Sequence, residues 1–255
     1  MNPRPGPFLA FRLIVFATVA AFVYYLLFRS TYIWCKAHFQ GTGDYREYLK
    51  LFWALVVTFA VNQRFQKIGL KFPRRGSYVV GVLTPVSITL GFYEAIGYYP
   101  GFDANLLRHN LCVGMAEELI CNGCIIVMLR PIGIDYAAYI SSFIFTLFHL
   151  PLLLSEGQLP TFGVFEAAVG IFIYGVFLAG IRFYSDSLLP GIFIHFLFDY
   201  LINFYSQGSS LFSWWRHEVT PVEYTIWEWT VELVFLVYGI GLLLLSKKRE
   251  ASATG

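Results

Sequence analysis

Long apolar segments, separated by short polar stretches, dominate the pattern of residues along the chain. A helix needs about 20 mainly apolar residues to cross a bilayer. The segments that approach this length are Phe8–Phe28, Tyr48–Asn62, Ser77–Tyr98, Leu111–Leu129, Asp135–Leu154, Thr161–Ile181, Leu188–Tyr205 and Ile226–Ser246. Most connections are short, and we detect no internal repeat and no soluble domain. The pattern predicts an all-α fold, a polytopic membrane helix bundle of about eight transmembrane helices, forming one domain over residues 1–255.

The composition supports this prediction. Of 255 residues, 57% are hydrophobic, 19% aromatic and only 13% charged. Soluble domains have about 25% charged residues, so this chain has too few charges to cover a water-facing surface. The hydrophobicity excludes a disordered chain, and a net charge of +2 provides no basic field for nucleic acid. We therefore expect an integral, multi-pass protein in contact with the lipid bilayer, and no nucleic-acid partner.

The distribution of basic residues predicts the orientation. With the N-terminus inside, the inner side holds the Lys and Arg residues at 4–12, 64–75, 130, 182 and 247–249. The outer side holds the smaller set Arg29, Lys36, Arg46, Lys50, Arg108 and Arg216. Basic residues are more frequent in cytoplasmic loops, so both termini are predicted to be cytoplasmic. We interpret the basic loop Arg64–Arg75 as a cytoplasmic anchor.

Several ionisable residues fall inside the predicted spans: Glu94, Glu117, Glu118, Glu166, Asp199, Glu232, His149 and His195. Each costs a few kcal/mol at the bilayer centre, on the order given by insertion scales, so a cluster of them indicates a functional site. Glu117 and Glu118 are adjacent on the fourth helix and point about 100° apart, so at least one faces the bundle. Phe145 and His149 share one helix face, as do His195 and Asp199, because each pair has i, i+4 spacing.

These polar residues are predicted to lie at similar depth. By the helical rise, Glu117, His149, Asp199 and His195 lie about 8–16 Å below the outer ends of their predicted spans. We therefore expect them to line one cavity. Two adjacent carboxylates in a low dielectric resist joint ionisation, and one of them is then suited to act as a general base.

Three motifs in order, Glu-Glu, Phe-x-x-x-His and His-x-x-x-Asp, resemble the CPBP family of intramembrane glutamic proteases. This family includes the CAAX prenyl endopeptidases and the bacteriocin-processing, Abi-like proteins. The motif core spans about residues 111–205. The resemblance implies an endopeptidase without a metal or cofactor, which cuts a membrane-anchored or lipidated peptide or protein. It also implies a role for each of Glu117, Glu118, His149, His195 and Asp199.

By this resemblance Glu117 is the general base and works with His149 to activate a water. Glu118 is a second essential carboxylate, while His195 and Asp199 stabilise the oxyanion. Two positions depart from the family pattern. Asn122 occupies the position that usually holds Arg, and Asp199 replaces an Asn that many members have. Asp199 donates to an oxyanion only when protonated, and otherwise it is suited to orient His195.

The residues alone leave alternatives open. The same carboxylates and histidines are suited to a transporter or to a proton or metal pathway, although the inverted repeats and broken helices of transporters are not detected. A zinc protease is a weaker alternative, since the sequence has no His-Glu-x-x-His motif. A site near the outer face also conflicts with a cytosolic prenylated substrate. Either the orientation is reversed, or the substrate enters from the other side or laterally from lipid.

The remaining polar residues of the apolar segments are interpreted as structural rather than catalytic. Cys121 and Cys124 have C-x-x-C spacing, but they lie in an apolar helix without a second pair, so we interpret them as packing residues, with a metal or redox role as the alternative. Glu94 and Glu166 match no motif and are predicted to be structural or to line the cavity. Glu228 and Glu232 are predicted to lie at the membrane interface.

Overall fold

In a computed structural model, the structure describes residues 6–38, 45–62, 69–95, 103–155, 161–208 and 221–254. All regular structure in these ranges is helical, which confirms the predicted fold class. We number the helices in chain order. They are α1 Pro7–His38, α2 Arg46–Asn62, α3 Thr84–Ala95 with a preceding π-helical turn Val79–Leu83, α4 Ala104–Glu118 with its continuation, α5 Ile134–Ser155, α6 Thr161–Ser185, α7 Leu189–Gly208 and α8 Pro221–Thr254.

Five of the described helical stretches are long and apolar enough to cross a membrane. These are Pro7–His38, Ala104–Ile132, Ile134–Leu154, Gly163–Ser185 and Trp229–Ala253. Val79–Leu90 and Leu189–Leu201 are shorter apolar helices. A polytopic helical membrane bundle is therefore confirmed, while the count of eight spans stays a prediction.

Several helices extend beyond the apolar windows that predicted them. Helix α4 begins at Ala104, where the Asp103 side chain accepts hydrogen bonds from the backbone N–H groups of Asn105 and Leu106. Its first turns are polar, and hydropathy therefore placed its start seven residues later, at Leu111. Glu117 consequently lies about 20 Å from the end of its helix, rather than the predicted 9 Å or so. Hydropathy reports where a helix is apolar, whereas capping decides where it begins.

Helix α4 lies at the centre of the bundle. In its most apolar window 72% of the residues are buried, against 22% in α1 and 28% in α8. The helix continues through a π-helical segment, Leu119–Ile125, into a short α-helix, Ile126–Leu129. It packs against α2 and α7. The approach to α7 requires Gly114, because a Cβ there would lie 3.1 Å from the backbone N of Phe196. Such a central helix has few lipid-facing positions and can carry polar side chains.

The connection between α6 and α7 is fixed by the segment that precedes α3. The N–H of Leu188 donates to the Gly69 carbonyl at 2.8 Å, and the N–H of Arg74 donates to the Ser185 carbonyl at 3.3 Å. Asp186, at a φ of 54°, accepts from Lys71 and Arg74. We call the group Lys71, Arg74, Arg182 and Asp186 the corner cluster. It joins two parts of the chain that are more than a hundred residues apart in sequence.

Candidate active site

Ionisable side chains from four helices converge in the middle of the bundle. Helix α4 contributes Glu117 and Glu118, α5 contributes His149, and α7 contributes His195 and Asp199. Helix α2 adds Lys50. We call these six residues the site cluster. The structure thus brings together all five predicted site residues, since ion-pair distances link each of them to another member.

The two oxygens of Glu117 have different surroundings. Oε1 forms an ion pair and hydrogen bond with Nζ of Lys50. Oε2 lies 3.5 Å from Nε2 of His195 and 3.7 Å from Nε2 of His149. Oε2 is buried, and no donor among the described residues hydrogen bonds to it. One oxygen is therefore held by a cation, while the other faces two imidazole nitrogens at distances beyond a hydrogen bond.

Glu118 differs from its neighbour, because both of its oxygens are occupied. Oε1 lies 3.1 Å from Nδ1 of His195, and Oε2 accepts a hydrogen bond from Nδ2 of Asn122 at 2.9 Å. Gly191 of α7 leaves room for this carboxylate, since a Cβ there would lie 2.7 Å from Oε2. A carboxylate that accepts from Nδ1 places the proton on that nitrogen. Glu118 therefore directs Nε2 of His195 toward Glu117 and Asp199.

A backbone carbonyl fixes the ring of His149. Its Nδ1 lies 2.9 Å from the carbonyl oxygen of Phe145, which only accepts hydrogen bonds, so Nδ1 carries the proton and Nε2 faces Glu117. The Phe145 ring makes edge contacts with both histidines, at centroid distances of 4.6 Å to His149 and 5.7 Å to His195. Tyr174 of α6 contacts His195 in the same way at 5.6 Å. The aromatic residues therefore hold both imidazoles in place.

The site cluster is closed on one side and partly open on the other. The side chains of Glu118 and His195 are only 1% and 3% exposed. Lys50, His149 and Asp199 are each between 21% and 25% exposed. Oδ2 of Asp199 lies 3.5 Å from Nε2 of His195. The open side is therefore the side from which a substrate would reach the site cluster.

Lys50 is the member of the site cluster that sequence reasoning missed. We counted it among the basic residues that set the orientation. A signal was nevertheless present, because Lys50 falls inside the predicted span Tyr48–Asn62, where a lysine is costly. Tyr174 was missed as well, since an aromatic residue in an aromatic-rich chain gives no signal of its own.

The remaining candidates lie apart from the site cluster or outside the described residues. The side chains of Glu94 and Glu228 are outside the described residues. Glu232 of α8 lies against Gly170 of α6. In the part of the chain that the structure describes, no ion pair links Glu166 to the site cluster. Cys112, Cys121 and Cys124 are buried and Cys35 is partly exposed, and among the described residues none of the four forms a disulfide.

Fold and site define a polytopic helical membrane protein with a buried group of carboxylates and histidines. Residues 102–201 of the chain match the family model described as type II CAAX prenyl endopeptidase Rce1-like. The matched segment contains every member of the site cluster except Lys50. It confirms the resemblance to the CPBP/CAAX protease family, and it indicates a membrane-embedded protease. No curated protein and no solved structure matches the chain.

Proposed function

We propose that this protein is a metal-independent intramembrane endopeptidase in which Glu117 activates a water against a peptide bond. The observation that carries the proposal is the arrangement around Oε2 of Glu117. This buried oxygen accepts no hydrogen bond from the described residues, and it lies within 3.7 Å of Nε2 of both histidines. An acceptor flanked by two imidazole groups is the arrangement that a general base needs.

The proposed reaction begins at this oxygen. Glu117 Oε2 takes a proton from a water while the water oxygen bonds to the carbonyl carbon, and His149 helps to orient that water. The carbonyl π electrons move to its oxygen, where His195 in its imidazolium form donates from Nε2. The neighbouring carboxylates compensate the imidazolium charge. The C–N bond then breaks, and the proton held by Glu117 passes to the leaving nitrogen, yielding a carboxylic acid and an amine.

Glu118 and Asp199 are proposed to support His195. Glu118 holds Nδ1, and Asp199 lies 3.5 Å from Nε2. We assign Asp199 a positioning role beside an imidazolium His195, because an ionised carboxylate accepts hydrogen bonds and would repel an oxyanion. The substitution of Asn by Asp at position 199 is therefore compatible with the proposed reaction.

The proposed substrate is a membrane-anchored or lipidated peptide, such as a protein tail with a prenylated C-a-a-X sequence. The family match supports a substrate of this kind. The lipid bilayer is the other partner, since the site cluster lies within apolar helices. We further propose that both termini are cytoplasmic. A reporter fused to the C-terminus tests this orientation, and a signal from the opposite side of the membrane would contradict it.

The test uses the full chain in proteoliposomes and a farnesylated C-a-a-X peptide with a fluorophore and a quencher on either side of the cysteine. We expect wild-type protein to raise the fluorescence. The variants Glu117→Gln and His149→Ala should lower the rate by about 10²- to 10⁴-fold. Glu166→Gln on α6 is the matched control and should leave the rate unchanged. Cleavage that persists in Glu117→Gln overturns the proposal. So does activity that is lost with a chelator and restored by zinc.

A further inference from the structure

The site cluster combines three carboxylates with two histidines and Lys50. Lys50 comes from α2, outside the segment that matches the protease family. Its Nζ contacts Oε1 of Glu117 rather than Oε2. The contact joins residues that are 67 positions apart in sequence. It therefore depends on how α2 packs against α4.

Helix α2 is anchored at several levels around Lys50. One turn before it, Oε1 of Glu47 lies 3.1 Å from Nδ1 of His109 on α4. One turn after it, Nε1 of Trp53 donates to Thr31 of α1 at 3.1 Å. About two turns after Lys50, the Thr58 hydroxyl lies 3.5 Å from the carbonyl oxygen of Leu119, which accepts its hydrogen bond. These contacts fix the position from which the Lys50 side chain reaches Glu117.

The partners of the two glutamates explain why a cation is needed from another helix. Asn122 occupies the position where the family resemblance has Arg, and its side chain bonds to Glu118. Asn122 is neutral, so it supplies no charge for the neighbouring Glu117. A buried carboxylate without a compensating cation is costly. Lys50 supplies this cation.

We propose that Lys50 is a positioning residue: by holding Oε1 of Glu117, it leaves Oε2 directed at His149 and His195. A carboxylate rotates about its terminal torsion with a broad preference, and either oxygen would otherwise be free to turn away from the histidines. The two oxygens of a free carboxylate are equivalent. The ammonium group of Lys50 binds one of them, so the other oxygen is the one that takes the proton. The inference rests on the proposed function, and it assigns to Lys50 the role of orienting the Glu117 carboxylate.

The first test measures kcat and KM separately with the farnesylated peptide in proteoliposomes. Lys50→Met should lower kcat by about 10- to 100-fold with KM changed by less than about threefold, because a misaimed base slows the chemical step more than it weakens binding. Lys50→Arg retains the cation and should recover most of kcat. Lys36→Met, an exposed lysine of α1, is the matched control and should behave as wild type.

A chemical rescue tests whether misfolding explains the lowered kcat of the Lys50 variants. In a Cys35→Ser background, Lys50→Cys is alkylated with 2-bromoethylamine: the thiolate displaces bromide and forms an S-aminoethyl side chain of nearly lysine length. Activity should return in the same folded sample. Methyl methanethiosulfonate, which adds a neutral group to the thiol, should not restore it. The remaining cysteines are buried, and the Cys35→Ser parent treated in parallel controls for their reaction.

The outcomes separate this inference from the proposed function. An active Glu117→Gln variant overturns the proposed function, and the role of Lys50 with it. An inactive Glu117→Gln variant beside a Lys50→Met variant with wild-type kcat overturns the role of Lys50 alone. Equal rescue by the cationic and the neutral reagent also overturns it, because side-chain volume rather than charge would then suffice.

Discussion

The site cluster and the corner cluster are both built from ion pairs between distant parts of the chain, yet they differ in the balance between carboxylates and cations. In the corner cluster, one carboxylate, Asp186, meets three cations. Oδ2 lies 2.6 Å from Lys71 and 3.0 Å from Arg74, and Oδ1 lies 3.7 Å from Arg182. In the site cluster, carboxylates outnumber the permanent cations, and Oε2 of Glu117 has no donor among the described residues.

This difference separates a structural role from a chemical one. A carboxylate surrounded by three cations stabilises the fold, and those charges disfavour its protonation. A carboxylate with one held oxygen and one oxygen facing imidazole groups is prepared for proton transfer. We therefore expect changes in the site cluster to affect turnover more than stability. Changes in the corner cluster should affect stability more than turnover.

The largest effect on turnover outside Glu117 and His149 is expected at Glu118. Glu118→Gln keeps the volume but removes the charge that holds the Nδ1 proton of His195. We expect kcat to fall by about 10²- to 10⁴-fold, as when a carboxylate that orients a catalytic histidine is neutralised. The unfolding temperature should change little. A Glu118→Gln variant with normal kcat but a sharply lowered unfolding temperature would reverse the roles that we assign to the two clusters.

The largest effect on stability is expected at Asp186. Asp186→Ala removes the partner of Arg182, whose side chain is only 4% exposed, and it places alanine at a positive φ. We expect a loss of about 1–3 kcal/mol, between the values for exposed and buried pairs. Thermal unfolding in detergent measures it, and kcat of the folded fraction should be unchanged. Asp186→Asn tolerates the backbone conformation and keeps an acceptor oxygen, so this variant should lose less stability than Asp186→Ala.

The same carboxylate predicts a pH dependence of stability. Burial alone would raise the pKa of Asp186, but the hydrogen bond from Lys71 and the charges of Lys71, Arg182 and Arg74 outweigh it and lower the pKa below its usual value. The unfolded chain therefore binds the proton more tightly than the folded one. The stabilisation is complete above the unfolded pKa of about 3.9, and it is lost as the pH falls through the lower, folded pKa.

The measurement compares unfolding temperatures of wild type and Asp186→Asn between about pH 7 and pH 3. The difference in unfolding temperature between the two proteins should be constant near neutral pH and should become smaller toward pH 3. A gap that widens on acidification would contradict this assignment.

The smallest effect is expected at the pair Glu47 and His109, where α2 meets the start of α4. Burial alone would raise the pKa of Glu47, but the hydrogen bond and charge of His109, with the charge of Arg46, lower it. His109 is 43% exposed, so solvent screens the pair. His109→Gln should cost less than about 1 kcal/mol of stability and change kcat by no more than a few-fold. If His109→Gln lowered kcat as much as Lys50→Met, the anchoring of α2, rather than the charge of Lys50, would be what orients Glu117.

Much of the site cluster was predictable because its residues follow local rules. The i, i+4 spacing of Phe145 with His149 places both on one helix face, and the structure adds that Phe145 packs against both histidines. The cost of charge in lipid singled out Glu117 and Glu118. Lys50 followed the same rule but was counted with the basic residues of the outer side, because it lies near the end of a short span. Hydropathy therefore predicted the site better than it predicted the helix ends.

The sequence by itself determined the fold class and singled out five of the six residues that the structure brings together in the site cluster, because helical periodicity and the cost of burying charge are properties of the chain itself. Only the tertiary structure decided which cation Glu117 takes. Asn122 bonds to Glu118 four residues earlier in the same helix, a spacing that already favours the contact, whereas Lys50 reaches Glu117 from 67 positions away. That choice depends on which helices approach one another and at what level. Such approach distances are fixed by packing across the bundle, as at Gly114 and Gly191.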